Sequence, residues 1–276
     1  MEKLVSIILP TYNGALRIEG AIKSVQNQTY RNWELLIIDD GSYDSTEDIV
    51  RNFGLTDARI KYSKNEQNLG IQKTLNKGIA QSQGEYIARI DDDDIWAMED
   101  KLEQQVRFFE ENKQYILVGT GVIVVDENKK ELFRYFVPET DKEIRGKLLG
   151  KNCFVHSSVL FRKDMFEKFG GYDESTETRH LEDYDLWLKL GTVGKFHNLP
   201  IFGVTFTLRE GSLSSVNKIE QFKKSLSFIQ RFKNFYPRYY PAVIRSIGRL
   251  IVYGFITKVP IRLSLNKLRK FDKENW

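Results

Sequence analysis

The sequence predicts an α/β protein: a Rossmann-like, mostly parallel sheet with flanking helices, followed by a C-terminal helical extension. Three observations predict it. Apolar, β-branched runs alternate with amphipathic helical runs over the first hundred residues, and that alternation builds a parallel sheet with right-handed crossovers. The apolar runs end in polar turns rich in Asn, Asp, Gly and Ser. Charge is split: residues 218–276 carry 14 Lys and Arg against 3 Asp and Glu, a net +11, which leaves −7 for residues 1–217. A boundary near residue 217 follows, between an acidic body with its own core and a basic amphipathic tail. A chain ended near Val216 is expected to keep its fold.

The elements follow in order. Residues 4–9 are a first strand by their Val, Ile and Leu content, ended by Pro10. Thr11, Tyr12, Asn13 and Gly14 form a turn, and Ile18, Ile22 and Val25 then recur at helical spacing. Residues 33–38 are a second strand, ending in Asp39, Asp40, Gly41 and Ser42. Asp44, Ser45 and Thr46 open a helix through about Phe53, and Ile60 to Tyr62 form a short third strand. Ile71, Leu75 and Ile79 mark the next helix, with Gly84 as its terminating glycine. Residues 85–90 read as a fourth buried strand. A helix from Lys101 turns Leu102, Val106 and Phe109 inward. Residues 116–125 are apolar and β-rich, 126–130 a turn, 153–162 a further strand, and a helix starts around Asp183.

Four successive aspartates, Asp91 to Asp94, follow the fourth strand. Adjacent carboxylates repel, and some must take up protons unless a cation offsets them. Hard divalent cations such as Mg²⁺ or Mn²⁺ take oxygen ligands, and residues i and i+2 of a strand share a side, so Asp91 and Asp93 can face one ion. The alternative is a solvated acidic loop whose Asp94 caps the next helix. Position favours the ligand site, because open α/β sheets bind ligands beyond the carboxyl ends of their strands. Tyr12 at the first such end offers a ring to stack on a base, or packs ordinarily. Asp40 at the second offers a carboxylate to a base or ribose.

Composition narrows the classes. The single cysteine, Cys153, excludes an internal disulfide and suits a reducing cytosol. The first apolar run is too short for a signal peptide, and no run approaches the ~20 apolar residues that span a bilayer. The expected location is cytoplasmic, peripheral at the inner face of the cell membrane if the tail docks there. No nucleic-acid motif is present, and no nucleic-acid partner is expected.

Residues 5–14, 36–46 and 84–94, in this order and spacing, resemble family 2 glycosyltransferases, inverting enzymes of the GT-A fold. The resemblance covers roughly residues 3–217. It implies that Pro10, Thr11, Tyr12, Asn13, Asp40 and Ser42 hold the nucleotide of a sugar donor, with Asp92 beside them. It makes Asp91 and Asp93 the Asp-x-Asp pair, Asp93 being the direct ligand of Mn²⁺ or Mg²⁺. Lys73 and Asn76 fall in a helix that approaches the donor. Residues 1–97 become the nucleotide-sugar half of the body and 98–217 the acceptor side. Many relatives carry a proline within 96–99, and this chain has none.

Further along, residues 153–162 resemble the family's His-x-Ser strand, so that His156 touches the acceptor or the phosphates, or is a core histidine. Glu182 and Asp183 look like the family's Glu-Asp pair. Asp183 is then the general base that deprotonates an acceptor hydroxyl as it attacks the anomeric carbon, with Glu182 nearby. The bland reading is that these acids merely favour a helix N-terminus. Arg209 stands where many relatives have histidine, and is either a partner of the leaving diphosphate or a surface arginine. The implied activity is metal-dependent transfer of a hexose, glucose or galactose, from a UDP-sugar to a hydroxyl of a glycan, lipid-linked or glycoprotein acceptor. A sugar nucleotidyltransferase would want a basic, glycine-rich loop where Pro10 to Gly14 has one glycine and no lysine. A silent nucleotide-sugar-binding scaffold would be expected to lose the base or the metal pair.

In the tail, Ile219, Phe222, Leu226 and Ile229 recur at helical spacing, Pro237 and Pro241 break the chain, and a helix runs from about Ala242 to Pro260. Ile261, Leu265 and Leu268 form a further stripe beside Arg262, Lys267, Arg269 and Lys270. Such a tail docks on an anionic membrane surface, or packs on the body or on a second copy in a homo-oligomer.

Overall fold

Strand β1 (Val5–Thr11) lies at the centre of the first half of the molecule, with β2 (Trp33–Asp39) and β4 (Tyr86–Arg89) on its two sides, all parallel. The computed structural model describes residues 2–208 and 218–256. Helix α1 (Ile18–Gln26) links β1 to β2, and α2 (Thr46–Thr56) links β2 to β3 (Ile60–Lys64). Helix α3 (Ile71–Gln81) then leads into β4. Alternation along β1 sends Val5, Ile7 and Leu9 into one core and Ile8 into the core on the other face, as the period of two requires.

Beyond β4 the sheet becomes mixed. After the two-residue β5 (Ile95–Trp96) and α4 (Lys101–Glu111) come the hairpin β6 (Tyr115–Val125) and β7 (Glu131–Tyr135), α5 (Asp141–Leu148), β8 (Leu160–Arg162) and α6 (Lys163–Lys168). Helix α7 (Glu182–Leu190), β9 (Lys195–Thr207), α8 (Lys218–Phe232) and α9 (Tyr239–Ile256) complete the order. The sheet runs β3-β2-β1-β4-β8-β6-β9-β5, with β7 on β6. Strand β8 is antiparallel to both β4 and β6, and β6 is parallel to β9. Because β8 runs against β4, its entry lies at the edge where β4 exits, opposite Ala88.

The structure corrects several expectations. Pro10 does not end β1. It pairs in register with Ile38, while β4 reaches only as far as Ile8 on the other side, so no partner awaits the missing N–H. Gly84 does not terminate α3, whose last turn passes to Ser82 in extended conformation. It is needed for close approach instead, since a Cβ there would lie 2.6 Å from the Ser6 nitrogen. Residues 153–162 are strand only from Leu160, and His156–Ser158 is a 3₁₀ turn. Pro241 does not break the chain, because it lies in the first turn of α9, where prolines are tolerated.

The tail is not a separate layer. Phe228, Ile229 and Phe232 of α8, with Tyr236 and Ala242, share one core with Tyr184, Leu186, Trp187 and Leu190 of α7. Arg231 pairs with the buried Asp185 at 3.0 Å, and the Tyr236 hydroxyl donates to the Leu188 carbonyl at 2.8 Å. Side chains of α8 therefore form part of the body's core, which speaks against a chain ended near Val216 keeping its fold. The stripe beginning at Ile261 lies outside the described residues. Among the described residues, no helix is long and apolar enough to cross a membrane.

Candidate functional site

The carboxyl ends of β1, β2 and β4 lie along one edge, and the loops leaving them are stitched together. The Asn13 N–H donates to the Ser42 hydroxyl at 2.8 Å, and the Tyr43 N–H donates to the Asn13 side-chain oxygen at 3.1 Å. The Gly14 N–H donates to Thr46 Oγ1 at 2.9 Å. Asn13 adopts φ 49°, a left-handed conformation that Asn tolerates better than most residues. The stitching leaves the Tyr12 ring half exposed, edge-on to the exposed ring of Tyr43 at 6.2 Å. An aromatic pair thus faces solvent where the two loops meet.

Asp40 is largely committed. Its carboxylate accepts from Asn65 Nδ2 at 2.8 Å, from the Leu69 N–H at 2.8 Å and from the Gly70 N–H at 2.9 Å, clamping the loop before α3. Asn76 is committed too. Its amide donates to the Tyr172 carbonyl and to Glu174, and its oxygen accepts the Tyr172 N–H, each at 2.9 Å. It fixes the turn at Gly170 and Gly171, both at positive φ. Lys73 is exposed on the same helix.

The aspartates lie in a turn rather than on a strand, with the Asp94 N–H reaching the Asp91 carbonyl at 3.3 Å. The turn, not strand alternation, gathers Asp91, Asp93 and Asp94, one carboxylate oxygen from each lying within 4.8 Å of the others. Asp94 does not cap α4, which is preceded by Asp100. Asp91 forms a short ion pair with the buried Arg89 and exchanges hydrogen bonds with the Ser157 hydroxyl. Asp92 points elsewhere. It accepts from Thr11 Oγ1 at 2.7 Å and pairs with Arg17 at 3.2 Å, tying the turn to the end of β1. Gly14 permits that contact, because a Cβ there would fall 2.2 Å from Thr11 Oγ1 and 2.5 Å from Asp92 Oδ2.

Asp94 is buried, and one of its oxygens has no partner. Burial first, then the charges of Asp91 and Asp93, hold its carboxyl well above the usual range. An orphaned carboxylate oxygen beside two more carboxylates is an oxygen-only donor set, and it fits a hard divalent cation. The Asp93 backbone carbonyl accepts from the Thr207 hydroxyl at 3.1 Å.

The second carboxylate group comes from the start of α7. Asp183 accepts from Asn152 Nδ2 at 2.7 Å and from the Tyr184 N–H at 2.7 Å, both favouring the ionised form. Burial outweighs them and raises its carboxyl above the ordinary value. Glu182 is pushed further, to about 7, by burial and by Asp183, and its Oε2 is buried without a partner. His156 meets the Tyr172 hydroxyl at 2.8 Å and packs edge-on to Trp187. Burial and Arg89 lower it well below its ordinary value, which favours the neutral imidazole.

Arg89 joins the two groups. It pairs with Asp91 and also acts electrostatically on Asp94, His156, Tyr172, Glu182 and Asp183. Sequence reasoning missed it, along with Arg17, Asn152 and Ser157. Two of these left a signal. A basic residue two before Asp91, at the end of an apolar strand, shares its face. Arg17 precedes a helix whose dipole disfavours a cation there, and so needs an anionic partner. Arg209 lies outside the described residues.

With this geometry in place, comparison with known proteins adds the following. The family model described as Glycosyl transferase family 2 matches residues 6–170. The chain is 34% identical over 211 residues to "Putative glycosyltransferase EpsE" of Bacillus subtilis (strain 168), covering 75% of this chain and 73% of that one. It is 34% identical over 237 residues to the Escherichia coli protein "UDP-Glc:alpha-D-GlcNAc-diphosphoundecaprenol beta-1,3-glucosyltransferase WfgD", covering 84% and 87%. Among solved structures, S. aureus TarS 1-349 in complex with UDP-GlcNAc superposes with a TM-score of 0.73 at 20% identity, over 93% of this chain and 76% of that one. The mannosyltransferase PcManGT from Pyrobaculum calidifontis, in complex with GDP-Man and Mn2+, gives 0.67 at 15% identity, over 100% and 81%.

Proposed function

The chain belongs to glycosyl transferase family 2 and is a glycosyltransferase, and from that premise we propose that it transfers a hexose, with inversion, from a UDP-sugar to a hydroxyl of a lipid-linked glycan. The observation that carries this reading is the convergence of two carboxylate groups on Arg89: Asp91, Asp93 and Asp94 from the end of β4, and Glu182 and Asp183 from the start of α7. Such an arrangement has one part for a diphosphate and another for a proton.

Asp183 is the general base. It takes the proton of the acceptor hydroxyl while that oxygen attacks the anomeric carbon from the face opposite the leaving group. The bond from the anomeric carbon to the diphosphate oxygen breaks, and its electron pair leaves with UDP. Asn152 aims the carboxylate by hydrogen bonding. Tyr12 stacks on the base, next to Tyr43, and Asn13, Ser42 and the remaining acceptor capacity of Asp40 lie beneath. Asp93, with Asp91 and Asp94 beside it, would hold Mn²⁺ or Mg²⁺, which as a Lewis acid neutralises charge on the diphosphate.

The substrates printed in the Escherichia coli relative's name make UDP-glucose the first donor to try and a polyprenyl-diphosphate GlcNAc the first acceptor. A lipid acceptor also suits α9, where Tyr240, Ile244, Ile247 and Ile251 form an exposed apolar stripe on a basic helix. The test is UDP release from UDP-glucose, UDP-galactose and UDP-GlcNAc with that acceptor, in Mn²⁺, Mg²⁺ and EDTA. Acceptor-dependent release that EDTA abolishes is expected. Absence of release with every donor, together with no thermal shift on adding any of them with metal, overturns the reading.

A further inference from the structure

A second charged site lies away from the carboxylates, where the tail meets the body. The end of α5, the segment after it and the start of α9 enclose a cavity of about 280 Å³. It is lined by Lys147, Lys151, Arg238 and Arg245, with Gly146, Gly150 and Pro241 among the rest, and none of its described lining residues is acidic. The volume is just below the ~300–1,000 Å³ of typical small-molecule sites.

Four cations round one cavity repel one another unless an anion joins them. The side chain at the back shows the deficit: Arg245 has Nε and Nη2 both buried and both without a hydrogen-bond partner. Buried guanidinium donors are ordinarily satisfied, and two unsatisfied in one group point to a missing acceptor. Lys151 tells the same story, lowered to about 8 by burial and by its neighbours Arg245, Lys147 and Arg249, against the opposing influence of the Cys153 thiol. The backbone is arranged to build the site. Gly150 lets α9 approach, since a Cβ would lie 3.3 Å from Ala242 Cα. Arg238, at φ 64°, occupies a left-handed conformation that an arginine seldom adopts, at the start of α9.

We propose that this cavity binds a phosphoryl group carried by a membrane lipid. The apolar stripe of α9 supports a lipid carrier: Tyr240, Ile244, Ile247 and Ile251 are exposed on the helix that supplies Arg245 to the cavity, with Arg238 just before it. Two lipids present this chemistry, an anionic headgroup and a polyprenyl diphosphate that carries the acceptor glycan. The second assignment rests on the proposed transferase reading. It has a structural counterpart, because Lys151 is followed in the chain by Asn152, which holds Asp183. A diphosphate anchored at Lys151 and Arg245 would place its glycan on the side of the general base.

The test begins with inorganic pyrophosphate, titrated calorimetrically in EDTA so that a cation at the aspartates plays no part. One-site binding by the full chain is expected, weakened tenfold or more in Arg245→Gln and in Gly146→Glu, and unaltered in Asp93→Asn. Gly146 has open space where a side chain would go, so this variant guards against a folding defect at Arg245. Arg245→Gln is itself expected to melt no lower than the parent, because it removes two buried donors that have no partner. No binding by the parent, or binding lost in Asp93→Asn and kept in Arg245→Gln, overturns the proposal. Phosphatidylcholine vesicles doped with phosphatidylglycerol or with polyprenyl diphosphate then identify the carrier, as whichever dopant the parent prefers and Arg245→Gln does not. Binding without UDP release would reject the transferase substrates while leaving the site standing. Where turnover is present, Arg245→Gln should raise KM for the lipid acceptor and leave KM for the donor unchanged.

Discussion

Replacing Glu182 by Gln should stabilise this protein, and by an amount that depends on pH. Glu182 lies beside Asp183 with Oε2 buried and unpartnered, and burial together with that neighbour carries its carboxyl from 4.5 to about 7. A raised carboxylate pKa means that the folded state holds the proton more tightly than the unfolded state. Stability from this group is therefore full below about pH 4.5 and lost as pH rises through about 7. Each unit is worth about 1.4 kcal/mol, so by pH 8 the ionised side chain costs about 3 kcal/mol. Gln has nearly the same shape and no charge. At ~2–4 °C per kcal/mol for a chain near this size, Glu182→Gln should melt about 6–12 °C above the parent at pH 8. Near pH 4.5 the two should melt almost together. The assay is thermal denaturation followed by circular dichroism from pH 4.5 to 8, in EDTA. A difference that is flat with pH, or a variant less stable at pH 8, would refute the argument that a buried charge with one unpartnered oxygen sits beside Asp183.

Three further outcomes are expected. Asp93→Asn should nearly abolish transfer and the metal dependence of UDP binding; full activity in Mn²⁺ would sink the cation assignment. Asp183→Asn should leave UDP affinity within a few-fold and cut turnover by ~10²–10⁴, and single-turnover kinetics separate that outcome from a binding defect. A chain ended near Val216 should fail to melt cooperatively, because Phe228, Ile229 and Phe232 leave the core; at ~1.5–3 kcal/mol each, their loss consumes much of a typical ~5–15 kcal/mol total. Far-UV circular dichroism and a thermal melt of that fragment decide it.

The sheet edge was legible because its signals are local. The runs ending at Thr11, Asp39 and Arg89 are apolar and β-branched, and parallel pairing puts their ends together regardless of side-chain detail. The Asp-x-Asp spacing and the Glu-Asp pair were visible as residue types. What stayed hidden was which polar group each would choose as partner. Asp40 and Asn76 have the chemistry of ligand-binding residues, yet their hydrogen-bonding capacity goes mostly to backbone 25 or more positions away. Ser157 carries no mark in the sequence at all. It reaches Asp91 only because β8 runs antiparallel to β4 and delivers its preceding turn to the same edge. The sequence left the tail's partner open between membrane, body and second copy, because helical spacing shows an apolar face without showing what covers it; Phe228, Ile229 and Phe232 of α8 lie in the core of the body.

One arrangement links the two ends of the molecule. At the sheet edge, acids are in excess: Arg89 is one cation among Asp91, Asp94, Glu182 and Asp183, and the acids respond by holding protons above their ordinary range at Asp94, Glu182 and Asp183. At the junction of α5 and α9 the imbalance is reversed, with Lys151 lowered by burial and neighbouring cations and Arg245 lowered by burial. Opposite deficits of this kind would cancel if the groups met, and a chain selected for stability alone would bring them together or replace them with apolar side chains. Instead they stand at the two ends of one short segment, Lys151 beside the cationic cavity and Asn152 on Asp183. Unpaired charge kept apart at a stability cost is the mark of a site that awaits a ligand of the opposite sign. On the readings proposed above, the acidic edge would take a cation and the basic cavity a phosphoryl group.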